Sequence, residues 1–92
     1  MLTLDLGKQA DRFIQKLPQK HAAQIMRKLL ELQTNPYPPD HKLLRGFSYL
    51  YSRVDSGEYR IVYMVKSPLI IVRIVGKRND NEVYKRLKRM DG

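Results

Sequence analysis

One stretch constrains this chain more than any other: Leu69 to Arg89, LIIVRIVGKRNDNEVYKRLKR. Its first half is a run of β-branched and aliphatic residues, the composition of a buried strand. The run stops at Gly76 and the basic pair Lys77-Arg78 follows at once. Asn79-Asp80-Asn81 then opens a helix that carries Tyr84, with Asp80 or Asn79 as its cap. A buried strand thus delivers two cations to its exposed end, and a short helix hangs an aromatic ring nearby. Cations beside an aromatic ring at a sheet rim can hold a phosphate and a base together, so RNA is the first partner to consider.

The remaining elements follow from periodicity. Leu2, Leu4 and Leu6 alternate with Thr3 and Asp5, as in a short strand ended by Gly7. Ala10, Phe13, Ile14 and Leu17 fall at helical spacing. Pro18 suits the first turn of a second helix, whose apolar stripe is Ala22, Ile25, Met26, Leu29 and Leu30. Asn35-Pro36-Tyr37-Pro38-Pro39-Asp40 must be a loop, because its prolines remove donors and restrict their neighbours. Strand-like runs follow at Tyr49–Val54, Tyr59–Lys66 and Leu69–Val75, separated by hairpin signals at Asp55-Ser56-Gly57-Glu58 and Lys66-Ser67-Pro68. The predicted order is β-α-α-β-β-β-α, an α+β class. Consecutive hairpins give a mostly antiparallel four-stranded sheet with the helical hairpin on one face and the C-terminal helix at the edge.

Composition narrows the partner. The 92 residues fit one domain, carry 18 Lys plus Arg against 9 Asp plus Glu, and have a formal charge of +9. Such an excess suits either a well-solvated surface or a polyanion: nucleic acid, a ribosome or an acidic protein. The absence of cysteine excludes a disulfide framework and a thiolate zinc site. No apolar run approaches the ~20 residues that span a bilayer, and the first residues do not read as a secretion signal, so the cytoplasm is the expected location, with no membrane partner.

Candidate chemistry concentrates on arginine, lysine and tyrosine. Arg60 shares a strand face with Val62 and Met64, while Tyr59, Ile61 and Tyr63 share the other. Arg73 interrupts an apolar strand, flanked on its own face by Ile71 and Val75. An arginine there is costly unless it reaches water or an anion. Arg53, Arg60, Arg73, Lys77 and Arg78 therefore converge on the helix-free face and one rim, where they either hold a phosphate or snorkel to solvent and pair with Asp55, Glu58 or Glu82. His21 and His41 read as surface residues far apart in sequence, no acidic spacing implies a metal cage, and there is no phosphate-cradling glycine loop. The tyrosines read as sheet filler or stacking platforms; Tyr84, one turn past the cap and close behind Lys77-Arg78, suits either packing or stacking on a base.

At these residues the chain resembles the RelE toxins of the RelE/ParE toxin–antitoxin superfamily. The words are LLRG (Leu43–Gly46), SGEYRIVY (Ser56–Tyr63) and VGKRNDNEVY (Val75–Tyr84), which with the element order cover nearly the whole chain, residues 1–92, as one RelE-like toxin domain. The resemblance implies a type II toxin that enters the ribosomal A site, beside 16S rRNA, and cleaves bound mRNA through the message's own 2′-hydroxyl, with no cofactor and no metal. It implies that Arg60 stabilises the transition-state phosphate, that Arg78 is general acid or leaving-group stabiliser, and that Tyr84 stacks on or orients a base. Lys77 becomes an accessory phosphate contact. RelE toxins usually carry lysines on the strand before the EYR hairpin, one of them the proposed base. Here Arg53 aligns with that position and Tyr51 with its neighbour. Arg53 can polarise a 2′-hydroxyl but is a poor proton acceptor. Arg73 and Tyr51 complete the substrate-binding set. The likeness further implies a cognate antitoxin covering the basic face in a hetero-oligomer. Two alternatives stand beside the nuclease: a non-enzymatic gyrase inhibitor like the ParE branch, and a basic RNA-binding domain without catalysis.

Overall fold

The computed structural model describes residues 1–79 and 81–91, Asp91 by its helical backbone alone. The elements are β1 (Thr3–Leu6), α1 (Lys8–Gln15), α2 (Gln19–Thr34), β2 (Lys42–Leu43), β3 (Ser52–Ser56), β4 (Tyr59–Lys66), β5 (Leu69–Lys77) and α3 (Glu82–Asp91). Among the described residues they form one sheet in the order β1-β5-β4-β3-β2. The expected α+β order holds, with two differences. A two-residue strand, β2, pairs with β3 through Lys42↔Arg53 and Leu43↔Ser52, so the sheet has five strands. It is also mixed, because β1 runs parallel to β5. Both follow from connectivity. The helical hairpin carries the chain from one edge of the sheet to the other, and the antiparallel meander returns β5 to the side of β1.

The two faces bury different things. Ala10 and Ile14 of α1 and Ile25, Leu29 and Leu32 of α2 pack on Val54, Tyr59, Ile61, Tyr63, Ile70, Val72 and Val75. Leu30, expected in the α2 stripe, is 56% exposed. The buried positions follow the i, i+4, i+7 spacing of one helix face, which Leu30 misses by about 100°. On the other face α3 does more than lie at the edge: Val83 and Leu87 pack on Tyr51, Val62 and Ile74, flanked by Leu44, Phe47 and Met64.

The β4–β5 register explains how Val75 and Ile74 reach opposite cores. Val62 pairs with Ile74 and Tyr63 with Val72, so Arg73 is an extra, bulged residue. Beyond it the side-chain alternation of β5 reverses. Val75 therefore joins Val72 beneath α1 and α2, instead of sharing a face with Arg73 as strict alternation predicts.

The hairpin turns sharply. Ser56 pairs with Tyr59, leaving a two-residue loop, with Gly57 at φ +59. A positive φ at the first loop residue and not the second fits a type II′ turn, which calls for glycine there. The strand before it starts at Ser52, later than expected, and Tyr49 and Leu50 lie exposed outside it.

The histidines are structural. His21 Nδ1 lies 2.7 Å from the Tyr59 hydroxyl and His41 Nδ1 2.7 Å from the Pro38 carbonyl. Both rings are half-buried, unlike the surface positions expected of them. The proline loop is held further by the buried Tyr63, whose hydroxyl donates to the Pro36 carbonyl at 2.6 Å. Burial, with the nearby Tyr37 and Asp40, pushes the Tyr63 phenol up to about 12, so it remains a donor at neutral pH. Replacing Tyr63 with Phe leaves that carbonyl without its donor. The expected cost is about 1–3 kcal/mol in denaturant unfolding, with the sheet intact by circular dichroism.

Candidate functional site

The face beneath α3 is apolar at one end and charged at the other. Antiparallel pairing sets Asp55 directly across from Arg60 and Arg53 across from Val62. Alternation puts Arg53, Asp55, Arg60 and Val62 on the α3 side. Val62 belongs to the second core; Arg53 stands beside it and Asp55 and Arg60 lie one pair further along, all three half-buried.

Arg60 is held from two directions. Its Nε donates to Asp55 Oδ1 at 2.9 Å and its Nη2 to Oδ2 at 3.3 Å, a two-point pair. Its Nη1 donates to the Tyr84 hydroxyl at 2.9 Å, with the guanidinium carbon 5.8 Å from the Tyr84 ring centroid. Arg53 Nη1 lies 3.9 Å from Asp55 Oδ1. The Arg60 side chain is only 16% exposed, so this pair is no ordinary surface salt bridge. The hydrogen bonds to Asp55, opposed by burial and aided by Tyr84, push the pKa of Arg60 above its ordinary value and keep it charged. Of the five N–H bonds of a guanidinium, three are engaged, leaving one on Nη1 and one on Nη2 for a further acceptor.

Tyr84 reaches Arg60 because α3 lies close to the sheet. Gly76 stands opposite Arg60 on β5. A Cβ on Gly76 would lie 2.5 Å from Val83 Cγ2, so only glycine admits this approach. The fully buried Leu87 and nearly buried Val83 each contribute about 1.5–3 kcal/mol to docking, against about 0.3–0.5 kcal/mol for an exposed helix pair such as Arg86–Glu82 at 3.9 Å. Apolar contact therefore fixes α3. Lys88 adds a tie at the far end, donating to the Gly46 carbonyl at 2.8 Å and lying 5.3 Å from the Phe47 ring centroid.

Of the expected residues, Arg60, Tyr84 and, through Asp55, Arg53 come together. Arg73 bulges from β5 with its Nε buried and without a hydrogen-bond partner among the described residues. Arg78 is exposed beyond the end of β5; its backbone N–H donates to the Glu58 carbonyl at 2.9 Å. Lys77 pairs with Tyr59, whose ring belongs to the first core, so Lys77 projects to the opposite face from Arg60. It lines a cleft there with Gln9, Phe13, Val75 and Arg86. Tyr51 is corrected outright. Its side chain is fully buried and its ring stands edge-on to Phe47 at 5.8 Å, so it packs beneath α3 and offers no surface to a substrate. Asp80, one of the two expected caps, lies outside the described residues; the Asn81 carbonyl accepts the first helical hydrogen bonds, from Tyr84 and Lys85. No group of three His, Cys, Asp or Glu among the described residues is placed to hold a metal ion.

Sequence reasoning treated Asp55 only as a neutralising partner and Gly76 only as a strand end. Both carried a signal. A two-residue turn at Gly57-Glu58 makes Asp55 and Arg60 cross-strand partners, and a glycine closing a β-branched run just before a helix marks a close approach.

Comparison with solved structures decides the family. The isolated Escherichia coli RelE toxin is 30% identical, with a TM-score of 0.72, over 98% of this chain and 99% of that one. The chain belongs to the RelE toxin family. A free E. coli RelE mutant with two arginines changed to alanine matches at 29% identity and TM-score 0.76, over 97% of this chain and 96% of that one. The archaeal RelE of the RelE–RelB complex from Pyrococcus horikoshii shares the fold, at 24% identity and TM-score 0.74 over 85% of this chain and 96% of that one. No protein-family model and no curated protein sequence matches the chain.

Placing a methyl at Gly76 of this RelE-type toxin tests the docking geometry. Gly76→Ala should cost about 1–3 kcal/mol in denaturant unfolding and separate Tyr84 from Arg60. Adding Val83→Ala should recover part of the loss, because it removes the clashing methyl. The check is denaturation of the wild type and the two variants alongside the Arg60–Tyr84 nuclear Overhauser contacts.

Proposed function

We propose that this RelE-type toxin is the ribosome-dependent endoribonuclease of a type II pair, restrained by a cognate antitoxin and, when free, cleaving mRNA in the ribosomal A site. One observation carries the reading: Arg60 is fixed by Asp55 and Tyr84 with two N–H bonds left over, on a charged sheet face adjoining an aromatic ring. Its guanidinium suits a phosphodiester whose charge grows in the transition state, because preset donors need no reorganisation as the charge develops.

In the proposed reaction the 2′-oxygen of the A-site nucleotide attacks the adjacent phosphorus and the P–O5′ bond breaks. This leaves a 2′,3′-cyclic phosphate and a 5′-hydroxyl. Arg60 binds the non-bridging oxygens, and Tyr84 orients a neighbouring base with its ring. Arg53 polarises the 2′-hydroxyl, whose proton passes to water or to a ribosomal group. Arg78, exposed at the rim, stabilises the departing 5′-oxygen, which takes a proton from water to become the 5′-hydroxyl. Arg73 and Lys77 contribute positive potential to the flanking phosphates, Lys77 from the opposite face. The formal charge of +9 favours both the ribosome and an acidic antitoxin segment.

Primer extension on a message under translation tests the reading. Wild-type toxin should cut within A-site codons and leave naked mRNA intact. Arg60→Ala should slow cutting about 10²- to 10³-fold, the effect of removing a preset donor to a developing anion. A folded wild-type protein that makes no A-site cuts, or an Arg60→Ala variant that cuts at the wild-type rate, overturns it.

A further inference from the structure

We propose that Asp55 is a positioning residue for the cleavage reaction, orienting the Arg60 guanidinium so that its Nη1/Nη2 edge faces the phosphate; this rests on the ribonuclease reading above. Four observations support the assignment. Asp55 is the direct cross-strand partner of Arg60, so its reach is set by sheet register and by the two-residue turn at Gly57-Glu58. Both of its oxygens accept from Arg60, from Nε at 2.9 Å and from Nη2 at 3.3 Å. That two-point grip fixes the guanidinium plane as well as its position. Tyr84 engages Nη1 from the other side, and among the described residues Asp55 alone accepts from Nε. Finally, Asp55 Oδ1 stands 3.9 Å from Arg53 Nη1, so one carboxylate spans the two arginines of the face.

The alternative role for a carboxylate here is proton acceptor to the 2′-hydroxyl. The geometry points away from it, because both oxygens already face guanidinium N–H groups. A second alternative is a stand-in anion that RNA must displace. That would make Asp55 a brake. As a positioning residue Asp55 instead remains on the Nε edge while the phosphate takes the opposite edge. Holding an arginine in one rotamer avoids its ordering cost in the transition state, and a misdirected guanidinium loses its bidentate geometry.

Asp55→Asn keeps the size of the side chain but puts an amide NH2 where one accepting oxygen stood, so the two-point grip is lost. Single-turnover cleavage on programmed ribosomes should slow about tenfold or more, a charge-assisted hydrogen bond's worth, while the half-saturating ribosome concentration stays within about threefold. In an Arg60→Ala background the same change should alter the rate less than about twofold, since its effect runs through Arg60. In the free protein, exchange of the Arg60 Nε–H proton followed by NMR should quicken about tenfold or more on the same substitution. An Asp55→Asn variant that cleaves as fast as wild type or faster overturns the proposal, as does an equal loss in the Arg60→Ala background or an unchanged exchange rate. If wild-type toxin makes no cuts at all, the ribonuclease reading fails by itself, and the exchange measurement still decides whether Asp55 fixes Arg60.

Discussion

The docking of α3 on the sheet is the constraint on which the rest depends. The strand face it meets is apolar at Tyr51, Val62 and Ile74 and charged at Arg53, Asp55 and Arg60. The helix buries the first group with Val83 and Leu87 and meets the second with the Tyr84 hydroxyl. Hydrophobic contact supplies the free energy, and the polar contact is placed by it. Gly76 makes the approach possible, since a side chain there would collide with Val83. Without that approach, Arg60 would keep its Asp55 pair and lose its aromatic neighbour.

Much of this was legible in the chain. The run from Leu69 to Val75 had to be buried, and the cations after it had to emerge at its end. The alternation of β4 correctly separated Arg60 from Tyr59, Ile61 and Tyr63. What escaped the reading has specific physical causes. A bulge leaves no mark in a period-two pattern, so the reversal at Arg73 moved Val75 to the other face. β1 and β5 pair across a separation that hairpin logic does not address, and β2 is too short to show periodicity. Tyr51 was expected in the substrate-binding set, from its alignment beside Arg53; burial under α3 decided otherwise, and burial depends on the whole fold.

The strand before the hairpin carries Arg53 where RelE toxins usually carry a lysine. The structure gives that arginine a defined setting, 3.9 Å from the carboxylate that also holds Arg60. In the proposed reaction such a site would act chiefly by electrostatic preorganisation: charges set before the substrate arrives, on a half-buried face where they are worth more than in water. Asp55 and Tyr84 matter because an arginine's contribution depends on where its N–H groups point.

In the proposed reaction Arg60 and Tyr84 act as one unit, joined by the 2.9 Å hydrogen bond that α3 docking creates. A double-mutant cycle on single-turnover mRNA cleavage, using Arg60→Ala, Tyr84→Phe and the pair, measures that union most directly. The predicted result is strong non-additivity, a coupling of about 1 kcal/mol or more, because either change alone breaks the same contact. Effects that add to within about 0.3–0.5 kcal/mol would show the two residues acting independently and would rule out a single Arg60–Tyr84 unit.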